Sequence, residues 1–142
     1  MKAITITEEK AFEGFGSGTN CCMAVFGQAA ELLGFDVETA QKIGAGFGAG
    51  MGIGGTCGCV SGAFMALGLK YSAGDKLNEK KASFIEQFTA AFNGCACTEV
   101  LGGLNPAVSE DMAVMMEKGL MRTTCAPAVC KACEILKDLL DE

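Results

Sequence analysis

The chain has 142 residues, 50% of them apolar and 20% charged, which fits one core-forming globular domain and excludes a disordered chain. Eleven basic against seventeen acidic side chains leave a net charge of −6, a sign that repels phosphate backbones and anionic lipid. Nucleic acid and membrane surfaces are therefore not expected partners. His is absent, which removes imidazole catalysis, His-ligated zinc and His-ligated haem together, whereas sulfur is in excess with nine Cys and eight Met.

At the N-terminus, Ile4 and Ile6 alternate with Thr5 and Thr7, a weak signal for an extended segment. Thr7 then caps a brief helix through Phe12 that stops at Gly14. After a loop over Gly14–Gly18, apolar residues at Cys22, Val25, Ala29, Leu32 and Leu33 predict a helix from about Asn20 to Leu33, closed by Gly34. Asp36 caps a short helix to about Ile43. A Gly-rich loop follows (GAGFGAGMGIGGTCGC), then a helix from about Cys59 to Leu69. Asp75 opens an amphipathic helix with Leu77, Phe84, Phe88 and Phe92 on one face, closed by Gly94. Ser109 caps a helix whose Met112, Met115 and Met116 read as packing residues. Pro127 opens a last helix with the stripe Val129, Ala132, Cys133, Leu136 and Leu140. Strand signals are nearly absent. The expectation is an all-α, single-domain helical bundle spanning residues 1–142, with a Gly-rich loop between helices.

The N-terminal residues carry no apolar stretch long enough for a secretory signal, so the chain reads as cytoplasmic. The segment from Ile43 to Leu69 lacks charge and resembles a membrane span in that respect. Ten of its 27 residues are Gly, however, and each costs a helix in water roughly 0.8–1.0 kcal/mol relative to Ala. A glycine-rich loop feeding a buried helix is the better reading.

Cytosolic thiols stay reduced, and clustered Cys there point to metal binding or redox chemistry rather than to structural disulfides. The nine fall in four groups: Cys21-Cys22, Cys57-x-Cys59, Cys95-x-Cys97, and Cys125 with Cys130-x-x-Cys133. Only tertiary folding can unite groups so spread along the chain, and one group alone cannot close a tetrahedral site. Each group places one Cys near a predicted helix N-terminus: Cys21, Cys57, Cys97 and Cys125. Free amides and the helix dipole there favour thiolate and sulfide charge. Four such ends converging would hold an anionic iron–sulfur cluster without help from Lys or Arg. Gly55, Gly58 and the alternating glycines from Gly44 to Gly54 would let the backbone approach a bulky cofactor, although tight packing explains them equally well.

These residues resemble a known family. Cys57-Gly58-Cys59-Val60-Ser61-Gly62 is similar to the central motif of the redox-active family named for its C_GCAxxG_C_C pattern. Asn20-Cys21 at a helix start, the run GFGAGMG, Cys97-Thr98-Glu99-Val100-Leu101-Gly102 and the late Cys125 also match, so the likeness covers nearly the whole chain. The resemblance implies redox activity and maps the shared cysteines onto Cys21, Cys57, Cys97 and Cys125. It also implies a relation to part of the split-Soret cytochromes, which carry an iron–sulfur centre besides haem. Haem attachment does not carry over, because no C-x-x-C-H occurs here. The chain departs from the pattern where Cys59 replaces the motif Ala, and Cys22, Cys95, Cys130 and Cys133 are further extras. The extras are expected to line the same cavity and to permit a larger cluster or two adjacent ones. Cys133, on the core stripe, reads equally as packing, and Cys130 lies at the edge of that stripe.

Three functions follow from the thiols. The first is an iron–sulfur protein that transfers electrons, served by a redox partner protein, or reduces a small molecule. The second is a thiol–disulfide oxidoreductase using Cys130-x-x-Cys133 or another pair, which is disfavoured because that motif starts inside a helix. The third is a Cu(I) or Zn thiolate protein. Whether the chain is an enzyme is left open, since solvation explains candidate acid–base groups such as Glu99 and Tyr71 equally well. A homodimer is compatible with the apolar area of so small a bundle.

Overall fold

A computed structural model describes residues 6–141. The expected extended segment falls partly on Ile4 and Thr5, which lie outside the described residues. The rest is all-α, as the helical periodicities predict. Thr7 caps α1 (Glu8–Gly16), its side chain accepting from the Lys10 amide, and the helix runs past the expected stop because Gly14 is tolerated within it. Asn20 caps α2 (Cys21–Leu33), which ends on Gly34 in the left-handed conformation. Asp36 caps α3 (Val37–Gly44) by accepting from the Thr39 amide.

The glycine-rich segment is not featureless. Ala45–Phe47 forms a short 3₁₀ turn and Gly50–Gly54 a π turn, with Ala49 and Met51 themselves in left-handed conformation. Gly54 sits at φ +69°, where a Cβ would stand 2.3 Å from the Asn105 amide oxygen, so only glycine fits.

α4 (Gly58–Tyr71) starts at Cys57 as its N-cap. It carries Gly58 and Gly62 one turn apart against the first turn of α2. Cβ atoms there would lie 2.7 Å from the Cys22 nitrogen and 2.8 Å from the Cys22 oxygen, respectively. The two helices meet backbone to backbone through these glycines. α5 (Asp75–Phe92) buries the predicted aromatic face, with Phe84 and Phe88 stacked at 5.6 Å between ring centres, and it ends on left-handed Asn93 rather than on Gly94. α6 (Cys97–Val100) is a single turn. α7 (Ser109–Lys118) departs from expectation at its start: Val108 is the N-cap, and Ser109 makes no capping bond. Asp111 instead accepts from the Asn105 amide at 2.9 Å, tying the preceding loop to the helix.

A π turn over Met121–Cys125 runs straight into α8 (Ala126–Leu140). Pro127 has no N–H to give the carbonyl four residues earlier, which suits a widened turn just before it. The whole predicted stripe of α8 is buried, and the helix packs against α1, α2, α4 and α5 at the centre of the bundle. No helix among the described residues is long and apolar enough to cross a membrane.

Candidate redox-thiol site

Four chain segments deliver their cysteines to one place, each by a local device. Asn20 positions Cys21: its Oδ1 accepts from the Met23 amide at 2.9 Å, and its Nδ2 donates to the carbonyls of Gly44 and Ala45 at 3.2 and 3.1 Å. The cap of α2 is thereby tied to the end of α3. The two Cys-x-Cys segments are joined by an isolated antiparallel bridge between Thr56 and Ala96. In it the Cys57 amide donates to the Cys95 carbonyl at 2.7 Å, and the Cys97 amide to the Gly55 carbonyl at 2.8 Å. This bridge brings the starts of α4 and α6 together. Glu99 reinforces it by accepting from the Ala96 amide at 3.1 Å, a capping role rather than the acid–base role considered from sequence. Tyr71 donates to the Leu139 carbonyl, joining α4 to α8.

The result is a chain of five interacting thiols from Cys125 through Cys21, Cys59 and Cys57 to Cys97. Cys21 is lowered to about 6, because the thiols of Cys125 and then Cys59 donate to its sulfur more strongly than burial penalises its charge. Cys57 is lowered for the same reason by Cys59 and Cys97, with the Cys59 and Val60 amides of the α4 start also directed at its sulfur. The donors move the other way. Cys59 is raised by giving its proton to Cys21 and Cys57, Cys97 by giving to Cys57, and Cys125 by giving to Cys21, with burial adding to each. The site thus favours the anionic form at Cys21 and Cys57 over the other three sulfurs. The Gly58 amide, also at the α4 start, points at the Cys97 sulfur.

Of the sequence-predicted sulfurs, Cys21, Cys57, Cys97, Cys125 and the extra Cys59 are brought together. The other four are directed elsewhere. Cys22 is fully buried where α2 meets α4 and donates to the Met65 sulfur at 3.7 Å. Cys95 lies 3.6 Å from the Thr89 hydroxyl. Cys130 donates to the Ile6 carbonyl at 3.1 Å. Cys133 sits in the core stripe, where burial pushes its thiol up to about 12. Both glycines expected at a cofactor are closely packed: a Cβ at Gly58 would stand 2.7 Å from the Cys22 nitrogen, and the Gly55 amide donates to the Gly50 carbonyl while its own carbonyl accepts from the Cys97 amide.

One local expectation is corrected. Cys21, Cys57 and Cys97 do stand at helix starts, but Cys125 has helical backbone and the amide after it is already bonded to the Met121 carbonyl. Cys125 is still the N-cap position of α8, but the π turn takes the Ala126 amide and Pro127 has none to offer. Sequence reasoning also missed Gly62, although its spacing of four from Gly58 is the signal of a close helix contact. All nine thiols are free, and among the described residues no group of three or more Cys, Asp or Glu is arranged to hold a metal ion.

The model of the family described as "Putative redox-active protein (C_GCAxxG_C_C)" matches residues 19–139. The chain belongs to the C_GCAxxG_C_C family. No curated protein and no solved structure matched it. In this C_GCAxxG_C_C protein the matched span runs from the cap of α2 to the last turn of α8 and so contains all five assembled thiols.

Proposed function

We propose that this protein is a redox carrier whose five thiols, Cys21, Cys57, Cys59, Cys97 and Cys125, hold an iron–sulfur cluster. The observation that carries the reading is the meeting of five cysteines from four separate segments at one half-buried place. The donor set is all sulfur, as such clusters require, and it already favours anionic sulfur before any metal binds. A single ion needs three or four donors around one point. A row of five sulfurs instead suits a group containing several metal atoms. When bound, such a cluster accepts and gives single electrons.

The chain's own residues supply the rest. Amides at the α4 start, those of Gly58, Cys59 and Val60, direct N–H dipoles at the sulfurs of Cys97 and Cys57. Burial of Cys57 and Cys59 keeps water from the inner half of the site.

Iron and acid-labile sulfide in similar amounts, with broad visible absorption, are expected for protein purified without oxygen. Ser substitution at any of the five should lower the iron content, whereas Cys95→Ser and Cys130→Ser should leave it unchanged. A colourless protein carrying zinc or copper would replace this reading with metal handling.

A second reading, thiol–disulfide exchange, is favoured by one observation: Cys21 and Cys59 interact directly and are free. Colourless, metal-free protein in which mild oxidation joins these two would support it.

A further inference from the structure

Outward from the thiols lies an apolar cavity of about 610 Å³ between α1, α7 and the π turn. Its walls are Phe12 and Phe15 on one side and Met112, Met115, Met116 and Met121 on the other. A smaller hollow of about 130 Å³ is lined by Cys21, Cys97 and Cys125, and it shares Phe15, Met112, Met115 and Met121 with the larger one. The inner wall of the large cavity is therefore the outer wall of the thiol site. Neither the helix periodicity nor the cysteine pattern demands this space. Met116, read from sequence as packing, is 64% exposed at its edge.

We propose that this cavity binds an uncharged, largely apolar, ring-bearing small molecule and holds it beside the thiols. The volume falls within the range of ordinary small-molecule pockets. Methionine side chains are flexible and polarizable, and with two phenylalanines they suit a flat apolar body whose outline varies. The charges at the rim decide against an anion. Arg122, the cation in the lining, is paired with Glu9 at 3.1 Å and lies over the Phe12 ring at 4.1 Å. Glu13 lines the same cavity, so a negative ligand would meet two carboxylates and a guanidinium already neutralised. This binding needs no metal and goes beyond the cluster reading; each can fail without the other.

The test titrates N-phenyl-1-naphthylamine, an uncharged fluorescent ring compound, into the full chain, both as purified and after reduction and metal removal. Saturable binding of one molecule per chain is expected in both forms. The same rings bearing a sulfonate should bind at least tenfold more weakly. Met116→Glu, at an exposed position that folding tolerates, should weaken binding about tenfold, while Met51→Glu, exposed on the glycine-rich turn, should leave it unchanged. In the reduced, metal-free chain, saturating probe should slow alkylation of Cys125 and not of Cys130. Several probe molecules per chain, equal binding of the sulfonated probe, equal effects of the two Glu variants, or unprotected Cys125 would each overturn the proposal. So would a dimer that Met116→Glu dissociates, because a second copy would then be the occupant.

Discussion

Asn20 shows how much one side chain decides in this protein. Its oxygen satisfies an amide at the start of α2, and its nitrogen holds two carbonyls at the end of α3, immediately beside Cys21. Asn20→Ala removes all three bonds and is expected to cost about 1–2 kcal/mol, read from urea denaturation midpoints. Asn20→Asp keeps the cap acceptor, loses the two donated bonds and should fall between. Cys133 marks the opposite extreme, a thiol held neutral by the core. With its folded value raised from 9.0 to about 12, it should resist iodoacetamide near pH 8 in the native chain and react once the chain unfolds. The sign for stability follows. As pH rises from 9.0 toward about 12 the unfolded chain ionises this thiol first, so the folded state loses ground, and Cys133→Ala should flatten that part of the slope.

Among the elements, the contact between α2 and α4 is decided by glycine. At Gly58 and Gly62 an added methyl would strike α2 backbone, which cannot turn aside as a flexible side chain can. Gly58→Ala and Gly62→Ala should each destabilise by about 1–3 kcal/mol in thermal unfolding and displace the α4 start that carries Cys57. Gly68, on the same helix, has nothing within 4 Å of the corresponding position. Gly68→Ala should therefore stabilise by up to about 1 kcal/mol through helix propensity alone. Three glycines on one helix thus differ in sign for reasons that lie across the interface rather than in the helix. The same element explains the CGxxxG spacing within the matched pattern: Cys57 is the cap, and the glycines press that cap against Cys21.

For the molecule as a whole, the thiol site is a junction. Its residues come from the starts of α2, α4 and α6 and from the turn before α8, so holding them together restrains segments far apart in sequence. Any group bound by all of them stabilises the folded state by mass action. Were the site to hold metal as proposed, chelation should lower the thermal midpoint. It should also raise amide exchange first around residues 55–59 and 95–100, while α5, held by its stacked Phe84, Phe88 and Phe92, keeps its protection. Equal loss of protection in α5 would mean that the site and the aromatic core unfold as one unit.

The amino-acid sequence by itself determined the all-α class, the caps Thr7 and Asp36, the aromatic face of α5 and the buried stripe of α8. Those features depend on periodicity and on side chains acting within a turn or two. It also pointed to the thiols, because His is missing and cysteines recur near expected helix starts. Tertiary structure alone decided which thiols meet. Cys22 and Cys59 are both fully buried and both lie within two residues of a family cysteine, yet one faces Met65 and the other joins Cys21 to Cys57. That difference is a matter of helix rotation against a neighbour, which no local pattern encodes. The π turn that occupies the amide after Cys125, the bridge that aligns Cys57 with Cys97 and the cavity outside them likewise arise where distant segments pack. Their geometry is set by contacts that the chain makes only once it is folded.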